Sequence, residues 1–148
     1  SQLLLGTSPL LAGHKHLNRL EQVLLRRELA LSPGAQEALV MDSAGHVVEG
    51  VFSNVFWVHE GVVHTPLLDQ SGVKGVMRGA IMQQAAVSGM DVREGRYCLQ
   101  DVQAADEVFF CNSLYGIWPV RQLGDQPLPL GPVAAMLHDY WQQLLEAA

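Results

Sequence analysis

The chain has 148 residues, a length that fits one ordinary domain with one hydrophobic core. Its formal net charge is −6, from 15 acidic and 9 basic side chains, which excludes an extended basic surface for a nucleic-acid backbone. No apolar run approaches the roughly 20 residues of a membrane-spanning helix, and the start lacks the pattern of a secretory signal. We therefore predict a soluble, cytoplasmic protein that binds neither nucleic acid nor membranes.

The cysteines and histidines give no metal or redox signature. Cys98 and Cys111 fall in different predicted elements without C-x-x-C spacing, so we expect both to be reduced and buried. The six histidines lack H-E-x-x-H or any partner spacing typical of zinc ligands. We predict no metal site.

The first elements are a short strand and an amphipathic helix joined by a loop. The apolar run at residues 3–5 predicts a buried strand, and the loop after it continues to Lys15. Asn18 followed three residues later by Glu21 is a capping-box pattern, which predicts that a helix begins there. Residues 32–34 end the helix. Its predicted inward face consists of Leu20, Val23, Leu24 and Leu31.

Two β-hairpins follow the helix. Residues 38–42 and 46–49 flank a Ser-Ala-Gly turn, and residues 54–58 and 62–65 flank a Glu-Gly turn. Four short strands in succession predict an antiparallel or mixed sheet.

A polar, glycine-rich loop at residues 69–75 leads directly into a second predicted helix, which starts at Val76. Further apolar patterns predict an edge strand at 91–97, a helical turn at 99–105, strands at 107–112 and 116–120, and a C-terminal helix with Pro132 in its first turn. Together these elements predict an α/β (α+β) domain with no internal repeat or linker.

Lys15 is the candidate reactive residue. A lysine amine can form a Schiff base with an aldehyde cofactor or a carbonyl substrate. Pyridoxal phosphate would also need a carboxylate at its pyridine nitrogen and backbone N–H groups at its phosphate. Glu49, at the end of a strand, is a candidate for the first role. For the second role, the glycine-rich junction offers the amides of Gly75, Val76 and Met77, because a helix N-terminus favours anions. Ser113, the residue after strand 107–112, could add a hydroxyl.

Each of these features has an ordinary structural explanation. Loop lysines and glutamates at strand ends are mostly solvated, and most glycine-rich junctions bind nothing. Spacing alone does not determine whether the residues converge. A cofactor-free domain and a Schiff-base lyase that works without a cofactor both remain open at this point.

Four blocks of the sequence occur in the order found in a known family. They are residues 13–24, with Gly-His-Lys-His-Leu-Asn-Arg, and residues 48–56, 72–78 and 111–113. With these blocks the chain resembles the bacterial aminodeoxychorismate lyases, members of the fold-type IV pyridoxal-phosphate enzymes. That group also contains the branched-chain and D-amino-acid aminotransferases. The segment Lys15 to Arg19 favours the lyases over the aminotransferases.

The resemblance implies a role for each candidate residue. Lys15 would be the Schiff-base lysine and general acid/base, and Glu49 would hold the pyridine nitrogen. The phosphate would be bound by the amides of Val76 and Met77 together with Ser113. Residues 1–148 would form the larger C-terminal domain of the fold, a mixed sheet or pseudo-barrel flanked by helices. A smaller N-terminal domain, which in the family carries a phosphate-binding arginine and much of the substrate pocket, would be absent from this chain.

The activity implied by the resemblance is conversion of 4-amino-4-deoxychorismate to 4-aminobenzoate and pyruvate, a step of folate biosynthesis. The family also implies a homodimer with sites near the subunit interface. Two alternatives remain: an aminotransferase for branched-chain or D-amino acids, and an inactive truncated fragment with no cofactor bound.

Overall fold

A computed structural model describes residues 1–147. Within them lie four helices: α1 Leu20–Ala30, α2 Val76–Val87, α3 Leu99–Gln103 and α4 Pro132–Glu146. The strands are β1 Leu4–Leu5, β2 Leu39–Asp42, β3 Val47–Gly50, β4 Asn54–His59, β5 Val62–Pro66, β6 Val92–Gly95, β7 Glu107–Asn112, β8 Gly116–Pro119, β9 Gln122–Leu123 and β10 Gln126–Pro127. Among these helices, none has the length and apolar character that crossing a membrane requires.

The main sheet has five strands in the order β6-β5-β4-β7-β8, antiparallel except for the parallel pair β5 and β6. Its central strand β4 is buried on both faces. Because side chains alternate along a strand, successive residues of β4 point into different core clusters. Phe56 faces the first core cluster and Trp57 faces the second. Burial on both sides explains why β4 and β7 are nearly continuous apolar runs.

Helices α2 and α4 cover one face of the main sheet. Phe56 and Phe109 stack there with ring centroids 5.3 Å apart, against Ile81 of α2 and Leu137 of α4. On the other face, Trp57 packs in a cluster with Val102 of α3. The sheet is therefore the middle layer of a mixed α/β structure, as the sequence predicts.

A second, three-stranded sheet supports the start of the chain. Its order is β1-β2-β3, with β1 parallel to β2 and β2 antiparallel to β3. Leu25 of α1 packs against this sheet together with Leu5, Val40 and Val48. The chain passes directly from β3 through a short turn into β4, so the last residues of β3 lie where the two sheets meet.

Most elements agree with the sequence predictions. Both hairpins form, as β2–β3 and β4–β5, and the second turns at Glu60 and Gly61 with φ values of 49° and 78°. Positive φ at both positions suits the twist of a tight hairpin. The edge strand β6, helices α2 and α3, strands β7 and β8, and Pro132 in the first turn of α4 are also confirmed.

The predicted capping box at the start of α1 is wrong. The helix begins at Leu20, its N-cap is Arg19, and no side chain of the described residues caps it. Asn18 lies one residue too early and is exposed. The Glu21 carboxylate instead accepts a hydrogen bond of 3.0 Å from the backbone N–H of Gly6, so it stabilises the loop after β1.

The predicted inward face of α1 is also wrong. Leu20 is 67% exposed and Val23 is 60% exposed, whereas Leu25 is only 2% exposed. The helix packs on the small sheet through Leu25 and Leu29, and the apolar stripe read from the sequence faces away. Periodicity identifies an apolar face but does not show what covers it.

Two smaller predictions of burial are corrected. In the first strand only Leu5 is buried, while Leu3 and Leu4 are largely exposed. This strand pairs on one side only, at the edge of its sheet. Cys111 is buried in β7, but Cys98 is exposed just before α3; both are free thiols.

Candidate active site

Backbone hydrogen bonds carry Lys15 toward the N-terminus of α2. The Gly13 N–H donates to the Gly72 carbonyl at 2.9 Å, and the Lys74 N–H donates to the Gly13 carbonyl at 3.1 Å. Gly13 has φ of 79°, a conformation that glycine adopts without strain. Lys15 follows this tie by two residues, is exposed, and lines the cleft in front of α2.

Glu49 supplies a buried carboxylate at the end of β3. It is 6% exposed, and its Oε2 accepts a hydrogen bond of 2.8 Å from the Val73 N–H. Burial raises the pKa of the Glu49 carboxyl to about 7, and the Val73 N–H and the charge of Arg19 oppose that rise. The carboxyl therefore changes its charge near neutral pH.

The turn beside Glu49 requires glycine. Gly72 has φ of 81°, and a Cβ built there would lie 2.7 Å from Cγ1 of Val48 and 3.3 Å from Oε2 of Glu49. A larger residue would push the Val73 amide away from the carboxylate. The close approach explains why the glycine-rich loop matters here.

The N-terminus of α2 presents free backbone amides. The first helical bond runs from the Gly79 N–H to the Gly75 carbonyl at 3.1 Å, so the amides of Val76 and Met77 have no acceptor within the helix. In the described part of the chain no side chain caps this helix, and its first turn has no acidic residue. The Met77 side chain is buried in the core, so only its amide can serve a ligand.

Asn54 is a residue of the site that sequence reasoning missed. Its Nδ2 donates to the Val73 carbonyl at 2.8 Å, and its Oδ1 accepts the Gly75 N–H at 3.1 Å. A Cβ at Gly75 would lie 2.4 Å from that Oδ1. The Gly75 amide is thus already bonded. The available signal was a polar residue opening the apolar run of β4.

The turn after β7 forms another wall. The Asn112 Oδ1 accepts the N–H groups of Leu114 at 2.9 Å and Tyr115 at 2.8 Å, and its Nδ2 donates to the Phe52 carbonyl at 3.2 Å. These bonds hold the turn that carries Ser113, which is exposed and lines the same cleft.

The structure brings all six candidate residues into one cleft of about 880 Å³: Lys15, Glu49, Gly75, Val76, Met77 and Ser113. Among the residues that the structure describes, the charged side chains lining this cleft are one carboxylate, Glu49, and the four cations Lys15, Arg19, Arg26 and Lys74. This excess of positive charge, together with the α2 N-terminus, suits an anionic ligand.

Fold and site together define a class of protein. The sequence model of the amino-transferase class IV family matches residues 2–123, and the chain belongs to this family. It is 45% identical over 116 residues to an aminodeoxychorismate lyase of Vibrio harveyi, covering 78% of this chain and 42% of the relative. The chain thus spans less than half the length of that relative.

Solved structures agree with this relationship. A 4-amino-4-deoxychorismate lyase from Pseudomonas aeruginosa superposes with a TM-score of 0.94 at 43% identity, covering 98% of this chain and 53% of that one. An aminotransferase from Brucella abortus, bound to the cofactor PLP, superposes with a TM-score of 0.77 at 29% identity, covering 83% of this chain and 44% of that one. The expected fold-type IV architecture is confirmed.

Proposed function

We propose that this chain is the cofactor-holding part of a pyridoxal-phosphate-dependent lyase that converts 4-amino-4-deoxychorismate to 4-aminobenzoate and pyruvate, a step toward folate. The observation that carries the proposal is the convergence of all six candidate residues in one cleft. The likeness to the lyases of Vibrio harveyi and Pseudomonas aeruginosa favours this substrate over amino acids.

The residues present fit the cofactor. Of the two carboxylate oxygens of Glu49, Oε2 accepts a hydrogen bond and Oε1 accepts none from the described residues. Oε1 is therefore available to a protonated ring nitrogen. The uncapped amides of Val76 and Met77 and the hydroxyl of Ser113 suit a phosphate. Because Asn54 already engages the Gly75 amide, Gly75 contributes by letting Asn54 approach. When bound, pyridoxal phosphate supplies an electron sink that stabilises negative charge on the substrate.

Lys15 has two tasks in this proposal. Its amine would hold the cofactor covalently, and Nζ, once free, would take the proton from the carbon that bears the substrate nitrogen. The same amine then donates a proton as enolpyruvate leaves. Glu49 would keep the ring nitrogen protonated, and the cations of the cleft would attract the substrate carboxylates.

We further propose that residues 1–148 form one domain of a longer, cytoplasmic, homodimeric enzyme. A smaller N-terminal domain would supply a phosphate-binding arginine and most of the substrate pocket. The share of the Pseudomonas aeruginosa lyase that this chain covers, 53%, supports a second domain. Exposed apolar residues on and before α1 support a contact surface close to the cleft: Leu17, Leu20 and Val23.

Replacing Lys15 tests the proposal in the full-length protein. Lys15→Ala should lower pyruvate release from 4-amino-4-deoxychorismate by more than the roughly 10²–10⁴-fold effect of a general acid/base, because the covalent anchor is lost as well. Borohydride treatment with pyridoxal phosphate should leave a cofactor-sized mass on the peptide with Lys15 in the wild type.

The matched control is Lys74→Ala, which removes another lysine of the same cleft and should keep the trapped adduct on Lys15. Near-normal pyruvate release by Lys15→Ala would overturn the assignment. Amino transfer to 2-oxoglutarate without pyruvate formation would identify an aminotransferase instead. No adduct in the wild type would favour a cofactor-free protein, and an adduct with a carbonyl substrate alone would favour a lyase without the cofactor.

A further inference from the structure

Arg19 has an unusual environment for a residue at the start of a helix. It lines the cleft that contains Glu49 and also an adjoining cleft of about 380 Å³. Its Nη1 atom is buried and has no hydrogen-bond partner among residues 1–147. A buried guanidinium nitrogen without a partner is costly. A positive charge is therefore held at the cleft wall without an ion pair of its own in the described part of the chain.

A second carboxylate lies behind Glu49. Glu37 accepts the Val51 N–H through Oε1 at 2.8 Å and the Ser53 hydroxyl through Oε2 at 2.6 Å. A Cβ at Gly50 would lie 2.2 Å from Oγ of Ser53, so the turn after β3 is closely packed. These bonds fix Glu37 against the turn that directly follows Glu49.

The charged groups around Glu49 come from several segments. Lys15 and Arg19 precede α1, Arg26 lies on α1, Lys74 precedes α2, and Glu37 precedes β2. Of these, Arg19 lowers the pKa of Glu49 and Glu37 raises it. Burial acts in the same direction as Glu37 and is the largest influence. Arg19 is thus the cation that works against both.

We propose that Arg19 is a positioning residue, whose guanidinium, with its buried Nη1, favours the charged form of the Glu49 carboxyl in the cleft against the opposing charge of Glu37. This inference rests on the proposed function, in which Glu49 must be ionised to hold a proton on the ring nitrogen. A neutral carboxyl in the same place would not hold a positive charge on that ring. Arg19 therefore acts through Glu49.

The test is the titration of Glu49 in the cofactor-free, full-length protein. Glutamate labelled with ¹³C at the side-chain carboxyl is followed by NMR from pH 4 to 10, and the Glu49 signal is assigned from its loss in Glu49→Gln. Arg19→Gln should raise the titration midpoint by about one pH unit or more, and Glu37→Gln should lower it. Opposite shifts from two neighbours are not expected from a general loss of packing.

Three further variants make the result specific. Arg26→Gln removes a different arginine of the same cleft, which lies over the Phe52 ring, and should leave the midpoint unchanged. Arg19→Lys should restore most of the shift because it restores the charge. Arg19→Met keeps an apolar stem and replaces Arg19→Gln if that variant does not fold by circular dichroism.

An unchanged midpoint in the folded Arg19 variants, or an equal shift in Arg26→Gln, would overturn the inference. The measurement is independent of the lyase assay because it uses no cofactor. A shifted midpoint without pyruvate release by the wild type would support the effect of Arg19 on Glu49 and overturn the proposed function. An unchanged midpoint with normal pyruvate release would overturn the effect of Arg19 on Glu49 and support the proposed function.

Discussion

At the scale of single residues, the chemistry centres on one carboxyl. Glu49 is an ordinary glutamate at a strand end until the fold buries it and places one backbone N–H on Oε2. Burial raises the pKa of its carboxyl to about 7. The charge of this residue at neutral pH then depends on its neighbours: the Val73 N–H and Arg19 lower the pKa, and Glu37 raises it. A cofactor bound as proposed would place its protonated ring nitrogen beside Glu49, and this positive charge would favour the ionised carboxyl.

The raised pKa of Glu49 predicts how stability changes with pH. Without cofactor, Glu49 releases its proton near pH 4.5 in the unfolded chain but only near pH 7 in the folded chain. The contribution of Glu49 to stability is therefore highest below pH 4.5 and is lost as the pH rises to about 7. Between pH 4 and 8 this loss should be about 3 kcal/mol in the free energy of unfolding. Urea unfolding of wild type and Glu49→Gln at both pH values measures it.

The difference in the free energy of unfolding between Glu49→Gln and wild type should shift in favour of Glu49→Gln between pH 4 and pH 8. The comparison isolates Glu49, because Glu37, whose pKa is also raised by burial, is present in both proteins. The same pH dependence in both proteins would contradict the buried, proton-binding state of Glu49.

At the scale of elements, the sheet and α4 are joined by a carboxylate. Glu107 opens β7 and is buried, and it accepts the N–H groups of Ala134 at 2.5 Å and Val133 at 3.1 Å. These amides belong to the first turn of α4, which has no side-chain cap from its own N-cap residue, Gly131. A Cβ at Gly131 would lie 2.0 Å from Oε2 of Glu107. A strand residue thus caps a helix across the core.

Replacing Glu107 should destabilise the domain. Glu107→Gln keeps the size of the side chain but turns an amide N–H₂ toward a helix N-terminus, and it loses charge-assisted hydrogen bonds. We expect the free energy of unfolding to fall by about 3 kcal/mol. Asp125→Asn, at an exposed carboxylate, is the control and should change it by less than about 0.5 kcal/mol. Equal stability of both variants in urea would rule out the cap.

At the scale of the whole molecule, the cleft lies where the two sheets meet, beside an uncovered apolar surface. Leu17 is fully exposed, and Leu20 and Val23 follow on the outward side of α1. Val23 also lines the cleft itself. Exposed apolar residues that adjoin a functional cleft are typical of contact surfaces. The proposed homodimer would cover this surface and complete the cleft.

Two charges on the outward side of α1 test the dimer. The full-length wild type should have twice its chain mass by light scattering, and the double variant Leu20→Asp, Val23→Asp should have the mass of a monomer, because buried charges oppose association. Val87→Asp places a charge on an equally exposed apolar residue at the end of α2 and should remain dimeric. A dimeric double variant would show that this face of α1 is not the interface.

The sequence by itself determined most of the elements and the residue types of the site, although strands β9 and β10 were not predicted. Some features act locally, so their structures could be predicted from the sequence. These are the alternating and continuous apolar runs of β4 and β7, the turns at Gly45 and Gly61, and Pro132. The six candidate residues were found from chemistry and resemblance, and the fold places them together. Their roles remain predictions.

Only the tertiary structure decided which groups are buried and what they contact. Neighbours distant in the chain decide the outward face of α1, the bonds of Asn54, the burial of Arg19 Nη1 and the exposure of Cys98. Periodicity gives the direction of an apolar face relative to its own helix, but not the side from which the core approaches. In the same way, a pKa depends on burial and surrounding charge, which exist only once the chain has folded.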